Sequence, residues 1–169
     1  EYLVRALPHI AEQIEHVHLL IVGSGPQHGF LRQTAAALHV DNKITFAGYV
    51  EDEELPYVYT SADVFVLPSV SCYEGFGIVQ LEALSSGKPV VTTTLPGVRD
   101  VDSQGVATLH VRPKDPLALS EAIITLFKSP DLSEEMGRNG RKLVLERYSW
   151  SKVVEMMEKL YSTLGGDSN

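Results

Sequence analysis

The chain has 169 residues, of which 22 are acidic and 14 basic, so its net charge is −8, and 44% of its residues are hydrophobic. This composition fits one globular domain, and the acidic balance argues against a nucleic-acid partner. A single cysteine, Cys72, excludes an internal disulfide, and the six histidines have no zinc-ligand spacing, so we expect no bound metal. No apolar run in the sequence is long enough to cross a bilayer. We therefore predict a cytoplasmic protein without a transmembrane segment, and any peripheral contact with a membrane would come from a further part of the polypeptide.

The first segment of the chain has the apolar spacing of a helix. Leu3, Ala6, Leu7, Ile10 and Ile14 fall on one helical face. A helix at this position leads into the first strand of the sequence, so we expect another strand upstream and a longer polypeptide around this domain.

Short β-branched runs then alternate with segments of helical period. Such alternation predicts a parallel, doubly wound sheet, here a Rossmann-like three-layer α/β domain with about five to six strands. Residues 1–164 form this domain, its C-terminal part is all helical, and residues 165–169 are expected to be a flexible tail. The predicted strands are residues 18–22, 43–47, 63–67, 89–93 and 107–111, and the later helices are residues 30–39, 53–61, 77–86, 116–128, 132–147 and 151–164.

The loop between the third strand and the following helix is the strongest candidate for a ligand site. In an open parallel sheet the ligand crevice lies at the carboxyl ends of the strands, which is where residues 69–77 fall. Gly75 and Gly77 flank Phe76 immediately before a helix, so the amides of Phe76, Gly77 and Ile78 can face an anion at its positive end. The sequence therefore predicts a phosphate at this helix start.

Two carboxylates bracket the same helix start. Glu74 precedes the helix and Glu82 lies one to two turns inside it, so both can reach a ligand in the crevice. Alternatively, Glu74 is an acid that the helix dipole favours at the helix start, and Glu82 lies on a solvated face of the helix. Glu82 has Leu81 and Ala83 as neighbours on a helix that should be largely buried, so its carboxylate needs a partner. A carboxylate accepts hydrogen bonds from vicinal hydroxyls, which favours a ribose and a sugar as those partners.

Several stretches together resemble one known family. Glu74-Gly75-Phe76-Gly77, followed by Glu82-Ala83 and the run at residues 86–91, is similar to the motif of the family 4 (group 1) retaining glycosyltransferases, which have the GT-B fold. Residues 18–26, 44–50 and 147–150 extend the resemblance over most of the chain. It implies the C-terminal, donor-binding half of a two-domain enzyme. Such an enzyme transfers a sugar from a nucleotide-diphosphate sugar to an acceptor hydroxyl, with retention of configuration and without a metal or other cofactor.

The resemblance also implies roles for single residues. Glu82 takes the role of the glutamate that binds the ribose hydroxyls, and Glu74 that of the catalytic-centre glutamate that contacts the transferred sugar. The remaining candidates for nucleotide-sugar binding are Gly77, Ile78 and Val79 at the diphosphate, Tyr49 and Val50 at the base, and Gly23 and Gly25 in the turn beside the nucleotide. Phe76 joins them because of its position at the helix start. The acceptor, a glycan, lipid or small molecule, would be bound by an N-terminal domain of the same polypeptide.

The sequence departs from the family pattern in identifiable places. The arginine and lysine that neutralise the diphosphate in the family would lie upstream of Glu1. Residues 95–100 match a segment that usually ends in glutamate, and here Asp100 stands at the acid and Arg99 replaces a common proline. Without the upstream cations, we expect the chain alone to bind a donor weakly.

Other interpretations compete for some of these residues. Gly23 and Gly25 also fit a dinucleotide motif, but His28 stands where its third glycine is required, and a simple tight turn explains the pair equally well. Cys72 has no partnered histidine nearby in sequence, which favours an incidental residue over a nucleophile. A nucleotide-sugar epimerase and a non-catalytic nucleotide-binding module remain alternative functions. Tyr148 and Trp150 are expected to anchor the last helix, which should expose an apolar patch.

Overall fold

The computed structural model describes residues 1–165, which form seven α-helices and five short strands. The strands are β1 (Leu19–Val22), β2 (Ile44–Gly48), β3 (Phe65–Leu67), β4 (Val90–Thr93) and β5 (Thr108–Val111). The helices are α1 (Tyr2–Gln13), α2 (His28–Ala37), α3 (Leu55–Ser61), α4 (Ile78–Ser85), α5 (Pro116–Lys128), α6 (Pro130–Arg147) and α7 (Trp150–Gly165). All predicted strands and helices are present, with ends shifted by a few residues. Of the predicted tail 165–169, Gly165 ends α7 and residues 166–169 lie outside the described residues.

All five strands are parallel, but they form two groups. β1 pairs with β2, whereas β4 lies between β3 and β5. The parallel α/β architecture predicted from the sequence is confirmed, and within residues 1–165 its five strands form one pair and one group of three.

Helix α1 covers both strand groups. Val4 and Leu7 pack in one cluster with Ile44 of β2, while Ala6 and Ile10 belong to a second cluster that includes Val91 of β4. The four α1 residues in these clusters are almost completely buried. Burial on two sides of α1 therefore holds the two strand groups together, at roughly 25 cal/mol per Å² of apolar surface removed from water.

Helix α4 is fixed by a close contact with α6. Two glycines of α6 make this approach possible, since a β-carbon on Gly137 would overlap the carbonyl of Gly87, and one on Gly140 would lie 2.5 Å from Leu84 Cδ2. Leu84 itself is fully buried beside Val90 and Ala107. The C-terminal end of α4 is therefore packed closely against α6.

Tyr148 and Trp150, which were both predicted to anchor the last helix, differ in their burial. Tyr148 is half-buried and its hydroxyl donates to the Val101 carbonyl at 3.0 Å, as expected for an anchor. Trp150 is 83% exposed, so it is not the buried anchor that the sequence predicted. The predicted apolar patch is present on α7, where the exposed residues are Val154, Met156, Met157, Leu160, Tyr161 and Leu164.

Candidate functional site

The turn after β1 and the loop after β2 meet at the carboxyl edge of the strands. Gly23 has a φ of 106° and its amide donates to the Gly48 carbonyl at 2.7 Å. Gly25 accepts a bond from the His28 amide at 3.1 Å, where α2 begins. The bond to Gly48 places this turn beside Tyr49, whose ring is exposed, and next to the half-buried Val50. Four of the predicted site residues are thus brought together on this side.

The loop after β3 ends in a left-handed glycine that starts α4. Gly77 has a φ of 70°, and a β-carbon there would lie 2.6 Å from Leu67 Cδ2, so both conformation and space require glycine. No described side chain caps this helix, and its first turn contains no acid. Ile78 is 66% exposed and Val79 is also exposed. The first amides of α4 therefore point their partial positive charge toward an open surface.

Phe76 is held in this loop from two directions. Its ring packs edge-on against Tyr148 at 5.7 Å between centroids. Its carbonyl accepts a hydrogen bond from Gln80 Nε2 at 2.8 Å, and the same nitrogen donates to the Val98 carbonyl at 3.0 Å. Gln80 is fully buried, so these bonds tie the loop after β3 to the loop after β4.

Gln80 was not predicted from the sequence, although the sequence contains a signal for it. Gln80 stands between apolar neighbours on the same helix as Glu82. A polar residue on a buried helix needs a partner, and this holds for Gln80 as it does for Glu82.

The segment after β4 folds directly onto the loop after β3. Gly97 has a φ of 83°, and a β-carbon on it would overlap the carbonyl oxygen of Gly75. Asp100 accepts a bond from the Gly97 amide at 3.0 Å and lies 3.4 Å from Arg99 Nε. The acid that the resemblance aligned with the family's motif is therefore engaged with its own turn, and that turn supports the loop carrying Glu74.

The two predicted glutamates lie on either side of the start of α4. Glu74 is half-buried in the loop, where its amide donates to the Ser71 carbonyl at 3.3 Å. Glu82 is half-buried on α4, and its Oε2 accepts a bond from the Tyr59 hydroxyl at 2.6 Å. Burial and, secondly, the Glu82 carboxylate raise the pKa of Tyr59 above its ordinary value, so the phenol remains a donor at neutral pH. Tyr59 supplies the partner that Glu82 was expected to need, and it was not identified from the sequence.

The arrangement gives little support to nucleophilic chemistry at Cys72, which is an exposed free thiol in the loop after β3. Throughout residues 1–165, no three His, Cys, Asp or Glu side chains lie close enough together to hold a metal ion. None of the helices in the same range has both the length and the apolar character needed to cross a membrane.

Comparison with known proteins identifies one family. The family model described as glycosyl transferases group 1 matches residues 1–143. An uncharacterized glycosyltransferase of Methanocaldococcus jannaschii is 36% identical over 161 residues, which are 95% of this chain and 40% of that protein. A phosphatidyl-myo-inositol mannosyltransferase of Mycobacterium leprae is 36% identical over 162 residues, 96% of this chain and 42% of that protein. The chain therefore spans about two fifths of the length of these curated relatives.

Solved structures agree with this result. A glycosyltransferase from Rickettsia africae superposes with a TM-score of 0.87 at 22% identity, covering 99% of this chain and 44% of that one, which shows the shared fold. Anabaena HepE, in a complex with UDP-glucose, superposes with a TM-score of 0.83 at 25% identity, covering 98% of this chain and 44% of that one.

Proposed function

The chain belongs to the group 1 glycosyl transferases, and from this membership we propose that it is the donor-binding domain of a retaining glycosyltransferase. In this proposal the whole protein transfers a sugar from a nucleotide-diphosphate sugar to an acceptor hydroxyl. The domain has the α/β fold of GT-B C-terminal domains. The cytoplasmic location predicted from the sequence is part of the same proposal.

One observation carries this proposal: the uncapped start of α4 lies between Glu74 and Glu82 at the carboxyl edge of the strands. As the bond between sugar and diphosphate breaks, negative charge grows on the departing diphosphate. Amides that are fixed before the reaction stabilise that charge without reorganising. The left-handed conformation of Gly77 and the buried bonds of Gln80 fix these amides in advance.

In the proposed complex, the ligand runs along the edge formed by both strand groups. The amides of Gly77, Ile78 and Val79 hold the diphosphate, and the Phe76 amide completes that helix start. Glu82 accepts bonds from the ribose hydroxyls, and Glu74 orients the transferred sugar and stabilises positive charge at its anomeric carbon. The base lies against Tyr49 and Val50, beside the turn formed by Gly23 and Gly25.

The proposal also assigns two roles to other parts of the same polypeptide. The acceptor is bound by another domain of the same polypeptide, and a strand from the segment before α1 fills the gap between β1 and β3. A right-handed crossover from such a strand through α1 to β1 would place it on the β3 side of β1. Charge neutralisation by protein groups rather than by a metal is also part of the proposal.

The donor can be identified with the full-length protein. In a thermal-shift screen of UDP-, GDP- and ADP-sugars, the sugars of one base should clearly raise the Tm of the protein. A ligand at 100 times its Kd adds about 2.7 kcal/mol to the free energy of unfolding. UDP-glucose is the ligand of HepE in its complex, whereas the relative from Mycobacterium leprae is a mannosyltransferase, so all three bases need to be tested.

Sugar transfer by the full-length protein then tests the function. We expect Glu74→Gln to lower kcat/KM by about 100-fold or more, because a charge that stabilises the transition state is removed. Glu121→Gln, a matched change on the exposed face of α5, should leave the rate unchanged. Binding without turnover would support a non-catalytic module instead, and epimerisation of the free nucleotide sugar would support an epimerase.

A further inference from the structure

The hydrogen bond between Tyr59 and Glu82 connects the two sides of the candidate site. Tyr59 lies on α3, which follows the loop containing Tyr49 and Val50, whereas Glu82 lies on α4, which follows the loop containing Glu74. The two residues are 23 positions apart, and their oxygens are 2.6 Å from each other. Within residues 1–165, this is the side-chain bond that links α3 to α4.

The Tyr59 ring is fixed by the core rather than by the bond itself. It packs against Phe65 of β3 at 5.6 Å between centroids. Both rings lie against the buried cluster that contains Ala83, Leu84 and Val90. The hydroxyl of Tyr59 is therefore held at a defined point over α4, and Glu82 adapts to it.

A carboxylate has more acceptor capacity than one phenol can use. Its two oxygens offer about four lone-pair sites, and Tyr59 occupies one of them at Oε2. Short bonds to a charged acceptor are about twice as strong as neutral ones, so this contact fixes the rotation of the carboxylate plane. The orientation of Oε1 is then also determined.

We propose that Tyr59 is a positioning residue for nucleotide recognition, which holds Oε2 of Glu82 so that Oε1 accepts hydrogen bonds from the ribose hydroxyls. This inference rests on the proposed function, since it requires Glu82 to bind ribose. It assigns to α3 a part in recognition that neither the motif nor the resemblance contains. A tyrosine that served packing alone would affect stability without affecting the discrimination between ribose and its deoxy forms.

Isothermal titration of the full-length protein separates these roles. The probes are UDP, GDP or ADP, whichever raises the wild-type Tm most, and the 2′,3′-dideoxy form of the same nucleotide. Tyr59→Phe should weaken binding of the ribose form about five- to tenfold, the usual effect of one lost hydrogen bond, and should change binding of the dideoxy form less than twofold. Tyr57→Phe, on the same helix with a ring that is 76% exposed, should change neither.

The same measurement with Glu82→Gln completes a double-mutant cycle. If Tyr59 acts through Glu82, adding Tyr59→Phe to Glu82→Gln causes no further loss of affinity. Equal weakening of both nucleotides by Tyr59→Phe, tighter binding of the ribose form, or a full effect in the Glu82→Gln background would overturn the proposal. If the wild-type protein binds no nucleoside diphosphate, the proposed function fails, and the role of Tyr59 fails with it. If the nucleotide binds but Tyr59→Phe leaves the ratio of the Kd values for the ribose and dideoxy forms unchanged, only the role of Tyr59 fails.

Discussion

The α-carbon of Gly97 lies directly against the carbonyl oxygen of Gly75, so close that no β-carbon fits between them. This contact joins the loop after β4 to the loop after β3 at the point where Glu74 is attached. The site loop is therefore held by backbone packing as well as by the two hydrogen bonds of Gln80.

Gly97→Ala should displace the loop that carries Glu74. The substitution places a methyl group on the Gly75 carbonyl, in addition to the strain of a φ of 83°. Gly105→Ala is the matched control, because Gly105 has a φ of 70° but its β-carbon would be 3.5 Å from the nearest atom. The control should cost about 1–2 kcal/mol from backbone strain alone. We expect Gly97→Ala to cost at least about 1 kcal/mol more, as overpacking does, measured by urea denaturation. Equal losses in the two variants would contradict the close contact.

Gln80→Leu should destabilise the domain although it introduces an apolar residue into a buried position. The carbonyls of Phe76 and Val98 would lose their common donor. A buried acceptor without a partner costs about 1–3 kcal/mol, and Val98 is fully buried, so we expect a loss of about 1–3 kcal/mol, measured as a change in the free energy of unfolding. Gln33→Leu makes the same change at an exposed position of α2 and should stay within about 0.5 kcal/mol of wild type. An unchanged stability of Gln80→Leu would mean that the two loops do not depend on this side chain.

Tyr59 should make the stability of the domain depend on alkaline pH. Its folded-state pKa is raised by burial and by the Glu82 carboxylate, so its contribution is fully present below the ordinary phenol pKa of about 10. That contribution is lost as pH rises from this value through the folded-state pKa, because the unfolded phenol ionises first. The free energy of unfolding of wild type should therefore fall more steeply above about pH 10 than that of Tyr59→Phe. A difference between the two proteins that stays constant over this range would exclude the predicted linkage.

The local sequence determined the elements and much of the candidate site. Strands and helices were predictable because their apolar periodicity reflects burial on a sheet or on one helical face. The residues around the start of α4 were predictable for a similar reason, since a glycine-rich turn before a helix and an acid on a buried helix are both local patterns. The prediction that Trp150 is a buried anchor was wrong. Large aromatic residues are typical of a core, but the exposure of Trp150 depends on how the last helix packs, which no local pattern gives.

Only the tertiary structure decided how the separate loops meet. The contacts between Gly75 and Gly97, between Gln80 and Val98, and between Tyr59 and Glu82 join residues from different crossovers. The same holds for the division of the strands into two groups beneath α1. No local pattern encodes such pairs, because which loops become neighbours depends on strand order, and strand order is fixed by packing and chain connection across the whole domain. The sequence by itself thus predicted Glu74, Glu82 and the helix start between them as a candidate site. The fold determined that Tyr59 would hold one of those glutamates and that a second loop would support the other.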